Sequence, residues 1–327
     1  MSGRNGLNTE DAGAAEADLT ASGKGGAPSV GVVIVSFNSG DWLLHSVAAA
    51  LESTVPVRVV VSDNNSRDGS IERLQAARGD DSRVTILRHA RNLGFATAVN
   101  RALEGSTEPA VLLLNPDCLV RPDTIERVLA ALRSDPGAGM AGPRVCNPDG
   151  SEQAGCRRLD PTPQRALAWA FERPLRWLGH TPRGFNLAGQ PLPEAPAPVE
   201  AISGAFMLID RAAIQRVGMM DEGYFLHCED LDWCRRFRDA GYRILFVPDA
   251  IATHAKGTSS SGRPVRTEWH KHRGMVRYYR KFAGSAPRDR LALATASALV
   301  WTHFLLVLPR LLASRLRRPT RVRPPSE

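Results

Sequence analysis

The chain lacks the signatures of several large enzyme classes. No G-x-G-x-x-G follows its first apolar run, where Ser36-Phe37-Asn38-Ser39-Gly40 stands instead, and no G-x-x-x-x-G-K-[ST] occurs. A dinucleotide dehydrogenase and a P-loop NTPase are thereby disfavoured. Ser203 lies in Ile202-Ser203-Gly204, which is not the G-x-S-x-G elbow of a serine hydrolase. The five cysteines, at 118, 146, 156, 228 and 234, form no C-x-x-C pair, so neither a zinc ribbon nor a disulfide scaffold is expected. Residues 1–28 hold Ala, Gly, Ser and acids without an apolar h-region. They read as a disordered tail and not as a signal peptide.

What the chain does have is enough apolar residue for a large core and an uneven charge. It is 43 % hydrophobic over 327 residues, room for one large domain or two small ones. Residues 256–327 carry 16 Lys and Arg against Glu268, Asp289 and Glu327, a net +13, which leaves −5 on residues 1–255. The body shows no helix-turn-helix, zinc-finger or RNP-like pattern, so no nucleic-acid partner is expected. The basic segment instead flanks residues 291–308, 18 residues without a charge. That pairing points to an anionic membrane surface or an anionic lipid acceptor, the alternative being a solvated basic tail. As a helix the run spans ~27 Å, short of the ~30 Å hydrocarbon core. Thr295, Ser297, Thr302 and His303 dilute it, and six arginines follow between 310 and 323. An in-plane or re-entrant helix anchored by those arginines is the expectation. A full span and a helix docked on the soluble domain are the competing readings.

From Val30 the pattern alternates. Apolar runs of strand length stand at Val30–Ser36, Val57–Ser62, Val84–Leu87 and Val111–Leu114. Between and after them come helical stretches: Trp42–Glu52 behind Asp41 as a possible N-cap, one from near Ser70, Leu93–Leu103, and about Pro122 to Arg133. Four strand–helix repeats predict an open α/β sheet with parallel strands. Ligands in such sheets collect beyond the carboxyl ends of the strands, which selects Phe37–Ser39, Asp63–Ser66 and Asn115–Asp117. Thr181–Glu200, with five prolines, reads as a loop or lid. Order resumes at Ala201–Ile209, a helix from about Glu229 to Ala240 ends at Gly241, and Ile244–Val247 is a last strand.

The chemistry lies in acids and amides at these strand ends. Asp63 can accept hydrogen bonds from a nucleobase or a ribose, or simply close an Asx-turn. Asn115-Pro116-Asp117 can offer a hard oxygen ligand to Mg²⁺ or Mn²⁺ that also binds a diphosphate, or merely introduce the next helix. Glu229-Asp230-Leu231-Asp232 suits the first turn of a helix on dipole grounds alone. The apolar Gly223–Cys228 before it, however, favours desolvation of at least one carboxylate, which would raise its pKa towards the working range of a general base. His254, beyond the last strand, gains weight only from its place near the other strand ends.

Taken together these segments resemble the inverting glycosyltransferases of family 2, of GT-A fold, and within them the rhamnosyltransferase-like branch. The matching text is Val33–Asn38, Asp63–Ser70, Arg91–Ala96 with Asn100, Leu113–Asp117, Ser203–Met207, Asp221–Phe225 and Glu229–Trp233, within residues 30–283. The resemblance implies a mostly parallel open sheet flanked by helices, to which the sequence pattern adds a C-terminal apolar and basic helical extension. It implies a domain over 29–284, with a nucleotide-sugar half at about 29–145 and an acceptor half at about 146–284, while the charge and the apolar run mark 285–327 as a membrane-associating segment.

The resemblance also implies roles. Phe37 would lie against the nucleobase, Asp63 and Asn64 would bond base or ribose, and Asn92 and Gly94 would line the path of ribose and diphosphate. Asp117 matches the last, metal-binding position of the D-x-D motif, with Asn115 in the first. Asp230 matches the acidic general base, Glu229 stands beside it, and His254 corresponds to a metal ligand of some related transferases. The implied cofactor is Mg²⁺ or Mn²⁺. The implied partners are a nucleotide-sugar donor, a glycan or polyprenyl-diphosphate-linked acceptor, and the inner membrane surface, on the cytoplasmic face of the cell membrane. The donor expected is dTDP-rhamnose. A UDP- or GDP-sugar on the same scaffold, and a catalytically silent nucleotide- or glycan-binding module, are the alternatives.

Overall fold

The structure is a computed structural model that describes residues 30–162, 165, 185–255 and 264–315. The expected N-terminal tail, part of the proline-rich loop and the arginines at 317–323 lie outside these residues.

The first half follows the alternation of apolar runs. Strands β1 (Val30–Ser36), β2 (Val57–Asp63), β3 (Val84–Arg88) and β4 (Ala110–Leu114) alternate with helices α1 (Trp42–Leu51), α2 (Ser70–Arg78) and α3 (Phe95–Glu104). All pairings among these four strands are parallel. Every residue of β1 is buried because both sheet faces are covered. Val30, Val32 and Ile34 pack towards α1, α2 and α4 (Thr124–Ser134), while Val33 and Val35 pack towards α3. Each such Val or Ile contributes about 1.5–3 kcal/mol on full burial. Asp41 precedes α1 but makes no side-chain cap bond. Its carboxylate pairs instead with Arg73 of α2 at 3.0 Å.

Antiparallel pairing enters in the second half. It contributes β5 (Cys118–Val120), β6 (Ala138–Cys146), β7 (Arg157–Arg158), β8 (Ala197–Val199), β9 (Ala201–Ile202), β10 (Phe206–Asp210) and β11 (Arg243–His254). The main sheet runs β3-β2-β1-β4-β10-β6-β11-β5, with β8 paired to β11, and β7 and β9 form a separate ribbon. β10 lies antiparallel to β4, with Phe206 opposite Leu114. An antiparallel neighbour therefore starts where the parallel strands end, and the loop before β10 is delivered to their carboxyl edge.

β11 is longer than the apolar run Ile244–Val247 suggests. It pairs in parallel with β6, breaks register between Val247 and Ile251, and resumes as far as Thr253. Pro248 has no N–H to give to a ladder, and the irregular segment holds it. His254 is thus the last residue of a strand, opposite Cys118 of β5.

Helices α5 (Arg211–Val217) and α6 (Glu229–Asp239) complete the body, and α7 (Pro264–Phe282) and α8 (Pro287–Arg315) follow. α7 is crowded with Arg, Lys and His, which hides its apolar face in the sequence. That face buries Tyr278 and Tyr279 and packs Met275 and Phe282 against the core. α7 passes so close to the start of α6 that a Cβ at Gly274 would lie 2.8 Å from the carbonyl oxygen of His227. α8 carries the expected uncharged run. It is long and apolar enough to cross a membrane, with mean hydropathy 1.9.

Candidate active site

The carboxyl ends of β1, β2 and β4 share one edge of the sheet, since Ser36 lies opposite Asp63 and Ile34 opposite Leu114. Two groups of predicted residues meet there.

The first group surrounds Asp63 and Asn64, both buried. Asp63 accepts from the backbone N–H of Ser66 with both oxygens, at 3.1 and 3.3 Å. Asn64 accepts from the N–H of Leu93 at 3.1 Å and donates to the carbonyl oxygen of Gly94 at 3.0 Å. Its amide thus ties the end of β2 to the turn before α3. Asn92 accepts from the N–H of Gly94 at 2.9 Å. Gly94 has φ +88, and a Cβ there would come within 2.6 Å of the carbonyl oxygen of Phe225. Only glycine suits that combination. The same carbonyl accepts from the N–H of Phe95 at 2.8 Å, which joins the donor-side turn to the loop before α6. Phe37 is half-buried beside Asn38, whose own N–H donates to Ser66 Oγ at 2.9 Å. The structure therefore brings Phe37, Asp63, Asn64, Asn92 and Gly94 to one corner.

The second group surrounds Asp117. His254 Nε2 lies 3.1 Å from Asp117 Oδ1 and 3.2 Å from Asn115 Nδ2. His254 and Asp117 are both buried. The other ring nitrogen, Nδ1, lies 2.7 Å from Gln153 Oε1, which can only accept. Nδ1 therefore carries a hydrogen, which leaves Nε2, the nitrogen facing Asp117 and Asn115, as the atom able to bind a cation. Gln153 is itself fixed, since its Nε2 donates to the His254 carbonyl oxygen at 3.1 Å and to Asn147 Oδ1 at 2.9 Å. An oriented imidazole lone pair and a carboxylate oxygen 3.1 Å apart fit a divalent cation, with the mixed N/O set suiting Mn²⁺ at least as well as Mg²⁺.

A short backbone path leads from this group to the acids of α6. The N–H of Asn115 donates to the Ala205 carbonyl oxygen at 3.0 Å, and the N–H of Gly204 donates to Asp230 Oδ2 at 3.3 Å. The three acids of Glu229–Asp232 have separate fates. Asp232 is fully buried and structural, bonded by Tyr224 Oη at 3.2 Å, Arg236 Nε at 2.7 Å and Lys281 Nζ at 2.7 Å. Asp230 accepts from Leu231 N–H at 2.8 Å with Oδ1 and from Arg158 Nη2 with Oδ2. Burial alone would raise its pKa, but the Arg158 guanidinium outweighs that and holds it below the usual carboxylate value. Glu229 is also buried, and its Oε2 has no hydrogen-bond partner among the described residues. Burial first, and then the charge of Asp230, push its pKa up to about 8. The desolvated carboxylate expected in this motif is thus Glu229, while Asp230 is the one kept ionised.

Arg158 and Gln153 escape a reading of the sequence. Gln153 lies in the loop after β6 and Arg158 in the two-residue strand β7, where no period marks a face and only the folded contacts reveal a role. The Gly204 turn has a signal, since Ser203-Gly204-Ala205 falls among the matched segments.

Comparison with known proteins bears on the family and the fold. A family model described as "Glycosyl transferase family 2" matches residues 31–186. The N-acetylglucosaminyl-diphospho-decaprenol L-rhamnosyltransferase of Mycobacterium tuberculosis is 33% identical over 246 residues, covering 72% of this chain and 78% of that protein. The dTDP-rhamnosyl transferase RfbF of Shigella flexneri is 25% identical over 231 residues, 70% of this chain and 69% of that one. Among solved structures, the mannosyltransferase PcManGT of Pyrobaculum calidifontis, in complex with GDP-Man and Mn²⁺, superposes with a TM-score of 0.55. It is 20% identical and covers 88% of this chain and 74% of its own. At that identity the likeness bears on the fold, a large mixed sheet flanked by helices.

Proposed function

The chain belongs to glycosyl transferase family 2, and from that premise we propose that it moves L-rhamnose from dTDP-rhamnose to a hydroxyl of a polyprenyl-diphosphate-linked glycan. That it is a glycosyltransferase follows from the family and from its rhamnosyltransferase relatives. The observation that carries the transfer chemistry is the convergence, at one sheet edge, of the Asp117–His254 pair with Asp230 of α6, which accepts from Gly204 on the neighbouring turn. The names of the mycobacterial and Shigella relatives support the sugar, and the former supports the lipid-linked acceptor.

In this reading Asp63, with Phe37 and the turn held by Asn64, receives the nucleoside, and Asn92 and Gly94 line its path to the diphosphate. Asp117 and His254 would hold Mn²⁺ or Mg²⁺, with Asn115 bonded to the histidine. Such an ion, when bound, supplies positive charge against the departing nucleoside diphosphate. Asp230 is ionised and retains lone pairs beyond those spent on Arg158, Gly204 and Leu231. It takes the proton of the acceptor hydroxyl as that oxygen bonds to the anomeric carbon and the bond to the diphosphate breaks. A single displacement from the opposite face inverts the centre and needs no enzyme nucleophile. Asp230→Asn should lower turnover by roughly 10²–10⁴-fold, the usual contribution of a positioned base, and leave donor binding intact.

α8 contributes a surface. Ala296 is buried and Leu293 and Val300 pack on the core, so one side of this helix is committed to the domain. Leu291, Leu305 and Leu312 are exposed and, at 100° per residue, share the opposite side. A helix packed in this way is suited to lie on the cytoplasmic face of a membrane, close to a lipid-linked acceptor.

The deciding experiment incubates the enzyme with Mn²⁺ or Mg²⁺, a polyprenyl-diphosphate N-acetylglucosamine acceptor, and dTDP-rhamnose or matched UDP- and GDP-sugars. Mass spectrometry and NMR then read the product and its anomeric configuration. Transfer from dTDP-rhamnose with inversion is expected. Transfer only from a UDP- or GDP-sugar overturns the donor, and retention overturns the mechanism.

A further inference from the structure

A second group of metal-ligating side chains stands far in sequence from Asp117, where α7 meets α8. Glu268 and His272 are one helical turn apart on α7, and His303 faces them from α8. One ligand atom from each residue can be chosen so that all three lie within 4.8 Å of one another. We propose that Glu268, His272 and His303 form a structural site for a zinc-class divalent cation that pins α8 onto α7.

The imidazole of His272 is already oriented. Its Nδ1 lies 2.7 Å from the backbone carbonyl oxygen of Glu268, which can only accept, so Nδ1 carries the hydrogen and Nε2 presents its lone pair. A backbone carbonyl in that role is the usual outer partner of a metal-bound histidine. The Nε2 lone pair is aimed at His303 Nδ1, 3.0 Å away. Two nitrogens bound to one tetrahedral ion at about 2.0–2.1 Å lie about 3.3 Å apart, so the rings need to open by only a few tenths of an ångström. Without an ion, His303 Nδ1 donates to His272 Nε2. An ion bound through His303 Nδ1 displaces that hydrogen to the other nitrogen of the ring.

The surroundings favour an ion of that class. His272 is buried, and the rings of Trp301 and Phe304 lie 6.5 and 5.3 Å from it, shielding the ligands from water on that side. Two imidazoles and one carboxylate make a nitrogen-led set, which suits zinc and discriminates against magnesium. The Asp117 site has an even balance, with one carboxylate and one imidazole. Glu268 Oε1 lies 3.5 Å from His272 Nδ1 and 3.2 Å from Lys271 Nζ, so binding turns the carboxylate from the Nδ1 side towards Nε2, and the exposed Lys271 can swing away as it does. α7 in turn packs on the loop before α6, with His270 stacked on Phe225 at 4.5 Å. An ion here would therefore set the angle of α8 relative to the body that carries Asp230.

The test uses the full-length protein with Asp117→Asn and His254→Ala, so that only the helix site remains. Zinc is titrated by equilibrium dialysis, and cobalt is substituted and read by visible absorption. One zinc per chain is expected, with the intense absorption of a tetrahedral cobalt site. Adding Glu268→Gln and His303→Ala, both at positions with solvent access, should abolish both signals while far-UV circular dichroism keeps the helical content. Zinc should also slow amide exchange in residues 287–304 in the parent and not in that variant. Unchanged zinc stoichiometry without Glu268 and His303, or no zinc in the well-folded parent, overturns the proposal.

Discussion

Arg158 donates from one nitrogen, Nη2, both to Oδ2 of Asp230 and to the carbonyl oxygen of Ile202, the latter at 2.7 Å. The guanidinium is thereby anchored to the β9 backbone and offers Asp230 a fixed charge. Asp230 is depressed because that charge outweighs burial. Arg158→Gln removes the charge and leaves the burial, so the pKa of Asp230 rises. A base works only when deprotonated, so the acid limb of the pH–kcat profile moves to higher pH. At high pH, where Asp230 is ionised in either protein, the loss narrows. Arg158→Lys should restore part of the shift, because it returns the charge without the planar fork. An acid limb that stays in place in Arg158→Gln refutes the coupling.

Glu229 has the opposite sign. Its pKa is raised on folding, so its contribution to stability is complete below about pH 4.5 and is lost as pH rises through about 8. Gln mimics the neutral acid and cannot ionise. Glu229→Gln should therefore melt with the wild type at pH 4 and above it at pH 9, as read by thermal denaturation across that range. Equal melting temperatures at both pH values contradict the burial argument. This separates Glu229, whose protonated form the fold favours, from Asp230, whose ionised form it favours.

Gln153 holds His254 through Nδ1 at 2.7 Å and through the backbone carbonyl at 3.1 Å. Loss of such an outer partner usually weakens metal affinity by roughly 10–100-fold. Gln153→Ala should raise the Mn²⁺ concentration needed for half-maximal activity by that order, with kcat at saturating Mn²⁺ much less affected. Gln153→Glu, which keeps an acceptor at the same place, should lose less. An unchanged Mn²⁺ requirement would show that His254 needs no orienting partner.

The parts of this site visible in the sequence are those tied to a period. Val30–Ser36 and Val57–Asp63 are apolar runs with polar residues at their ends, so the pattern alone puts Asp63 and Asn64 on the ligand edge. Asp117 follows from the run ending at Leu114 by the same logic. His254 is harder to place, because Pro248 interrupts the pattern and the bulge that carries β11 past it leaves no sequence mark. Arg158 and Gln153 act through contacts across 72 and 101 residues, which no local pattern encodes. α7 is hidden for another reason. Its apolar positions are Tyr, Met and Phe spaced among cations, and the pattern reads as a solvated charged stretch until the body it packs on is known.

α8 supplies the last prediction. Its stripe of Leu291, Leu305 and Leu312 faces away from the domain, and Leu306 beside it is also exposed. The adjoining chain is strongly basic, at +13 over residues 256–327. Basic side chains near an anionic bilayer contribute about 1 kcal/mol each, and that attraction is screened by salt. The full-length protein should therefore pellet with vesicles containing phosphatidylglycerol, less so with phosphatidylcholine alone, and less as salt is raised. Leu305→Asp with Leu312→Asp places charge on the outward stripe, away from the contacts with α7, so the fold should hold while vesicle binding falls. Activity on a lipid-linked acceptor in vesicles should fall with it, whereas donor nucleotide binding in solution should not change. If the double variant pellets as the wild type does, or if the wild type stays in the supernatant with anionic vesicles, α8 is not a membrane-facing surface.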